Sequence, residues 1–157
     1  MAYNFSADEI YEMAKQIERN GAEFYKKAAA DVQGEDEKTF LLNLAKMEES
    51  HENTFAEMQK ELADKEKASQ VFDPAEESIL YLKALADTRI FFEKPAPGKE
   101  MKEILKSAVE AEKDSIVFYL GMKEMVPGEL GKNRVDHIIK EEMAHIRLLS
   151  GKLLELK

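Results

Sequence analysis

Two short motifs combine a carboxylate with an imidazole at a spacing that can build a metal site. His51 follows Glu48 by three residues, and His145 stands in the same relation to Glu142. Residues three apart lie on one face of an α-helix, so each motif can direct two ligands to one point. A single such motif means little on a glutamate-rich helix. Two copies call for an explanation.

An internal repeat relates the two motifs at an offset of 94 residues. The matching positions are Ala14 and Ala108, Glu18 and Glu112, Phe24 and Phe118, Tyr25 and Tyr119, Glu48 and Glu142, and His51 and His145. The repeat therefore adds two single glutamates to the two motifs. The candidate metal ligands are Glu18, Glu48, His51, Glu112, Glu142 and His145.

Sequence spacing predicts that these side chains meet. Glu18 and Glu48 are 30 residues apart with the Gln33-Gly34 turn midway, and Glu112 and Glu142 are equally spaced around Pro127. Arms of about 15 residues climb about 22 Å each way in an antiparallel helical hairpin. Each pair of glutamates thus returns to one level.

The neighbours of the candidate ligands indicate that they point inward. Apolar residues lie four positions from the two motifs, at Leu44, Phe55, Ile138 and Leu149. Small residues flank the single glutamates, at Ala14, Gly21, Ala108 and Ser115. Four buried carboxylates without compensation would be very unfavourable, whereas two divalent cations would balance their charge. An oxygen-rich site with one nitrogen per metal suits iron or manganese better than structural zinc.

Helical periodicity, proline and glycine define the elements that position these ligands. We predict an all-α single domain over residues 1–157, with four long helices over about 6–31, 36–65, 99–125 and 128–155. Residues 66–98 form a long crossover, in which Asp73-Pro74 begins a short helix that ends near Asp87. Ser6 to Glu9 has the form of a capping box. Two antiparallel helix pairs joined by a crossover are typical of ferritin-like bundles.

Composition restricts the partners and the chemistry. The formal charge of -9, with 35% charged residues, argues against nucleic acid. The chain has no cysteine, which excludes disulfides and thiolate-bound metals. No apolar run approaches the ~20 residues that span a bilayer, and no signal peptide is visible. We therefore expect a cytoplasmic protein that does not associate with membranes.

The remaining polar and aromatic residues near the motifs receive simpler interpretations. Tyr25 and Tyr119 each follow a single glutamate by seven residues, which allows either core packing or a hydrogen bond to a ligand carboxylate across the bundle. The third histidine, His137, is not matched by a histidine in the first half, where the repeat counterpart is Asn43. We expect His137 to lie at the surface. The side chains expected to be solvated charges are Glu49, Glu52 and Glu141.

These residues resemble the diiron carboxylate domain of the ferritin and rubrerythrin superfamily, over nearly the whole chain. By that resemblance Glu48 and Glu142 bridge two iron ions, Glu18 and Glu112 are terminal ligands, and the two histidines supply nitrogen. Rubrerythrins usually add a cysteine-ligated rubredoxin domain and a glutamate one turn beyond the third-helix ligand, where this chain has Ser115. The fourth long helix is predicted to run almost to Lys157, which leaves no short fifth helix of the kind that cage-forming ferritins carry, so we do not expect a 24-subunit cage.

The sequence is compatible with three functions. The first is a rubrerythrin-like oxidase or peroxidase that reduces hydrogen peroxide or dioxygen with an external electron-donor protein, as a homodimer. The second is iron sequestration or delivery without turnover. The third is a structural bundle whose site is vestigial or filled by zinc or manganese.

Overall fold

A computed structural model describes residues 6–62, 77–88, 98–126 and 128–156. Five helices and no strand occur among these residues. The helices are α1 (Ala7–Asp31), α2 (Glu35–Glu61), α3 (Glu77–Thr88), α4 (Met101–Met125) and α5 (Glu129–Glu155). None of them is long and apolar enough to cross a membrane. The predicted all-α architecture is confirmed.

The helix boundaries follow local signals, with one difference from expectation. The Ser6 side chain accepts a hydrogen bond from the Glu9 backbone N–H at 3.2 Å, which confirms the predicted N-cap. Helix α2 was expected to continue to Lys65, but it ends at Glu61 because Leu62 is extended at φ -64 and ψ 128. Residues 63–65 and the Asp73-Pro74 helix start lie outside the described residues.

The long helices form two hairpins, α1 with α2 and α4 with α5. The hairpins meet where α1 contacts α4 and α2 contacts α5, while α3 packs on α4. Ile79 and Leu82 of α3 are buried in that contact. A Cβ at Gly121 of α4 would lie 2.7 Å from the Tyr81 ring, so the close approach of α3 needs a glycine there.

Two apolar clusters fill the interior. One includes Ile10, Phe55, Leu82, Met122 and Val135, and the other includes Leu41, Leu44, Ile104, Leu105 and Leu149. The clusters involve different segments of the same long helices, and the predicted ligands come from the segments between them. The fold thus surrounds a polar layer with hydrophobic packing on both sides.

Candidate metal centre

The structure brings the six predicted ligands together in the interior. Their exposed fractions range from 0% for Glu142 to 4% for Glu48. They form two overlapping groups, and in each group the four ligand atoms lie within 4.8 Å of one another. We call Glu18, Glu48, His51 and Glu142 the His51 group, and Glu48, Glu112, Glu142 and His145 the His145 group.

All four long helices contribute to this cluster. Helix α1 supplies Glu18 and α4 supplies Glu112, while α2 and α5 each supply one glutamate and one histidine. Glu48 and Glu142 belong to both groups. The cluster therefore has two ends, each with its own glutamate and histidine, and two carboxylates in common.

Both imidazoles present the same nitrogen to the carboxylates. His51 Nδ1 lies 2.7 Å from Glu142 Oε1 and 3.5 Å from Glu18 Oε2. His145 Nδ1 lies 3.3 Å from Glu112 Oε1. It also lies 3.5 Å from Glu48 Oε1 and 3.5 Å from Glu142 Oε2. The rings are nearly parallel, with centroids 5.7 Å apart. Nδ1 is thus the nitrogen that a metal in either group would meet.

The two tyrosines connect the hairpins through the glutamates that are not shared. The Tyr25 hydroxyl donates to Glu112 Oε1 at 2.7 Å, and the Tyr119 hydroxyl donates to Glu18 Oε1 at 2.6 Å. Each tyrosine therefore contacts a carboxylate of the opposite hairpin. These bonds involve Oε1 of each carboxylate, whereas Oε2 of Glu18 and of Glu112 has no hydrogen-bond partner.

The cluster contains polar atoms that the protein itself does not satisfy. Within the described part of the chain, Glu18 Oε2, Glu112 Oε2 and Glu142 Oε2 are buried without a hydrogen-bond partner. A buried acceptor left without a donor is costly. Cations between the carboxylates would satisfy these oxygens, so the residues present fit a dinuclear metal site.

Burial and mutual repulsion change the protonation of the carboxylates. Burial, aided by the charge of Glu142, raises the pKa of Glu18 to about 7. Burial and the charges of Glu18 and Glu142 raise the pKa of Glu48 to about 8. The pKa values of Glu112 and Glu142 are also raised, first by burial and then by a neighbouring carboxylate. Without metal, Glu18 and Glu48 are therefore partly protonated near neutral pH.

The pKa values of the two histidines are also raised, but for a different reason. Burial alone would lower the pKa of His145, but hydrogen bonds to Glu112 and Glu142 outweigh it and raise that pKa to about 12. The pKa of His51 is likewise raised, because its contacts with the Glu142 and Glu18 carboxylates outweigh the opposing effect of burial. Metal binding at these nitrogens would release protons.

Glu141, which was expected to be a solvated charge, is exposed to solvent but also contacts two histidines. Its Oε2 accepts from His51 Nε2 at 3.0 Å, and its Oε1 contacts His137 Nε2 at 2.7 Å. The side chain is 42% exposed, so it lies at the margin of the site. The helical pattern missed the contact with His51 because His51 lies on α2, a helix of the other hairpin. His137 is a surface residue, as expected, with a 75% exposed side chain.

Met47 also contacts the site, at the outer nitrogen of the second histidine. Its Sδ lies 3.1 Å from His145 Nε2. Met47 is the repeat counterpart of Glu141, so the two positions are equivalent in the two hairpins. Glu49 and Glu52 form surface ion pairs with Lys26 and Arg19, respectively.

A small cavity adjoins the cluster between α1 and α4. Its volume is about 20 Å³, and its lining includes Gly21, Glu48, Glu112 and Ser115. A Cβ at Gly21 would lie 3.4 Å from the Glu48 carboxyl carbon, so this glycine keeps the space beside Glu48 open. The Ser115 hydroxyl is turned to the Ala111 carbonyl, at 3.0 Å. A space of this size holds about one water-sized molecule.

Comparisons with known proteins support the architecture. No protein-family model and no curated protein matches the chain. A crystal structure of a Thermotoga maritima protein assigned as a ferritin-like diiron-carboxylate protein is similar over 100% of both chains, with 25% sequence identity and a TM-score of 0.72. That likeness does not distinguish rubrerythrins from other ferritin-like proteins. The chain has the ferritin-like all-α fold, and its buried glutamate and histidine cluster suits a dinuclear metal site.

Proposed function

We propose that the chain binds two iron ions and reduces hydrogen peroxide or dioxygen with electrons from a separate donor protein. The observation that carries this proposal is the pair of overlapping ligand groups that share Glu48 and Glu142. One ion would occupy each group. Both shared carboxylates would then contact both ions, and the four carboxylates would balance the charge of two divalent cations.

The donor set supports iron over zinc. Each group offers three carboxylates and one imidazole nitrogen, and the chain contains no cysteine. Oxygen-rich sites of this kind suit iron and manganese, whereas structural zinc usually takes sulfur and nitrogen ligands. The similar Thermotoga maritima protein is described as a diiron-carboxylate protein, which favours iron for this chain.

The small cavity supports a small oxidant over a bulky substrate. Its volume of about 20 Å³ lies against Glu48 and Glu112, and a larger organic substrate would not fit without displacing side chains. Two ferrous ions would supply the two electrons that, with two protons, convert one hydrogen peroxide molecule into two water molecules. The protein would hold the carboxylates through Tyr25 and Tyr119 and exclude bulk water from the cluster.

The source of electrons must lie outside the chain. Without cysteine, the protein cannot carry a thiolate-ligated iron centre of its own. A separate reductant, such as a small iron–sulfur protein with its reductase, would therefore return the site to the reduced state. This requirement separates the proposal from a self-sufficient peroxidase.

Stopped-flow mixing of the anaerobically reduced, iron-loaded protein with each oxidant tests the proposal. We expect rapid oxidation in a single turnover, and sustained consumption when the donor system is present. Glu49→Gln is a matched control, because Glu49 neighbours Glu48 but pairs with Lys26 at the surface. That variant should behave as the wild type.

The alternatives give different results in the same experiment. Iron that binds but reacts no faster than free ferrous iron with either oxidant would defeat the oxidoreductase proposal and favour sequestration. Protein purified without added metal that contains zinc or manganese, and that does not take up iron, would favour a structural site.

A further inference from the structure

The two ligand groups differ in what stands behind their histidines. In both groups Nδ1 faces the carboxylates, and a metal bound there would leave the hydrogen on Nε2, which points away from the cluster. The His51 Nε2–H meets Glu141 Oε2 at 3.0 Å, whereas the His145 Nε2–H meets Met47 Sδ at 3.1 Å. The same position of the repeat thus supplies a carboxylate on one side and a thioether on the other.

The inner ligands do not explain any difference between the groups. Each group has one unshared glutamate held by a tyrosine of the opposite hairpin, one Nδ1, and the same two shared carboxylates. His51 and His145 are equally buried, at 3% and 2% exposed. The outer partners of the histidines are therefore the leading distinction.

A carboxylate behind a ligand histidine strengthens metal binding. It fixes the tautomer and ring orientation and raises the basicity of the coordinating nitrogen, and loss of such a partner typically costs 10–100-fold in metal affinity. A thioether is only a weak acceptor and carries no charge. Glu141 is itself held by His137 through its second oxygen, at 2.7 Å.

On the basis of the proposed dinuclear site, we propose that the two metal positions have unequal affinities and fill in order, the His51 group first. Glu141 acts as a positioning residue for His51. A cavity of about 380 Å³ lined by His51, His137 and Glu141 brings solvent to this contact, and solvent screening weakens it. The expected difference is therefore about tenfold, the lower end of the range for such partners.

The repeat provides reciprocal variants for the test. Glu141→Met gives the His51 group the outer partner of the His145 group, and Met47→Glu does the reverse. Glu141→Gln keeps an acceptor oxygen but removes the charge. Both positions are partly exposed, at 42% for the Glu141 side chain and 39% for Met47, so none of these changes disturbs the core.

The experiment is a titration of the metal-free protein with Co²⁺, followed by its visible absorption. It is combined with anomalous scattering from crystals that contain one equivalent of Co²⁺. In the wild type we expect two binding steps, with the first ion in the His51 group. Glu141→Met should weaken the first step about tenfold, Met47→Glu should strengthen the second, and Glu141→Gln should lie between wild type and Glu141→Met.

Three results would overturn the inference. They are equal occupancy of both groups at one equivalent, first occupancy of the His145 group, and an unchanged first step in Glu141→Met. In each of these cases two ions still bind, so the proposed dinuclear function survives. Failure of the wild type to bind two metal ions of any kind would instead defeat the proposed function itself.

Discussion

The His51 and His145 groups agree in their inner ligands and differ in their surroundings. Within the groups, each glutamate, histidine and supporting tyrosine has a counterpart at the 94-residue offset. Around them the counterparts diverge, with Glu141 against Met47, His137 against Asn43, and Ser115 against Gly21. The inner set is constrained because four buried carboxylates must be neutralised together. Glu141, His137 and Met47 are at least 39% exposed and can change without that penalty.

The largest expected effect on metal content comes from removing a ligand that the two groups share. Glu48→Ala deletes a carboxylate that both groups share, so we expect the variant to lose both metal ions rather than one. Elemental analysis of metal per chain after loading and desalting measures this. A Glu48→Ala protein that retains two ions would show that Glu48 does not serve both positions.

The unshared ligands provide the matched contrast. His51→Ala should weaken mainly the ion of its own group and leave the His145 group occupied, while His145→Ala should do the reverse. Stoichiometry should then fall towards one ion per chain in each variant. Crystals of the two variants loaded with Co²⁺ would show whether the remaining ion changes position as expected.

A second large effect concerns the protein without metal. Because the folded-state pKa values of Glu18 and Glu48 are raised from 4.5 to about 7 and about 8, the stability from their protonated forms is complete below about pH 4.5 and is lost as pH rises through 7 and 8. We therefore expect the Tm of chelated protein to fall between about pH 5 and pH 8.5. Bound metal displaces the protons, so the Tm difference between loaded and chelated protein should widen with pH.

The Glu48→Gln variant controls for the general charge of the protein. Glutamine has nearly the shape of glutamate but does not titrate, so the slope of Tm with pH should become shallower in the chelated variant. Calorimetry across the pH range measures both proteins. A chelated wild-type Tm that is flat or rises over this range would contradict the buried, proton-holding carboxylates.

Most of the fold and the clustering of the six residues can be predicted from the sequence. The 94-residue offset, together with equal arms on either side of each turn, places Glu18 opposite Glu48 by helical geometry alone. The contacts of Glu141 and Met47 were not anticipated, because they depend on the rotation and separation of α2 against α5. Helical periodicity describes faces within one helix and contains no information about that packing.

A smaller effect is expected when either tyrosine that bonds to a glutamate of the opposite hairpin is changed. Tyr25→Phe removes the donor to Glu112 Oε1, and Tyr119→Phe removes the donor to Glu18 Oε1. Supporting hydrogen bonds of this kind are worth about 10–100-fold in metal affinity. Tyr25→Phe should therefore weaken the His145 group and Tyr119→Phe the His51 group, each acting on the hairpin that does not carry the mutation.

The same Co²⁺ titration measures the tyrosine variants. With the His51 group filling first, Tyr119→Phe should affect the first step and Tyr25→Phe the second. If both variants weakened the same step by similar factors, the crossed hydrogen bonds would not be selective for one group.

The smallest expected effect comes from His137, which is linked to the metal position only through Glu141 and His51. His137 contacts Glu141 Oε1 at 2.7 Å and is 75% exposed. Exposed ion pairs contribute at most about 1 kcal/mol, which corresponds to about fivefold in affinity. His137→Asn, which installs the residue found at the repeat counterpart, should therefore weaken the first Co²⁺ step by no more than about fivefold and leave the second step unchanged.

The reciprocal Asn43→His should have no effect on either step, because Met47 rather than a carboxylate occupies the position four residues further along α2. A loss in His137→Asn as large as that in Glu141→Met would mean that His137, and not the Glu141 carboxylate alone, determines the difference between the two groups.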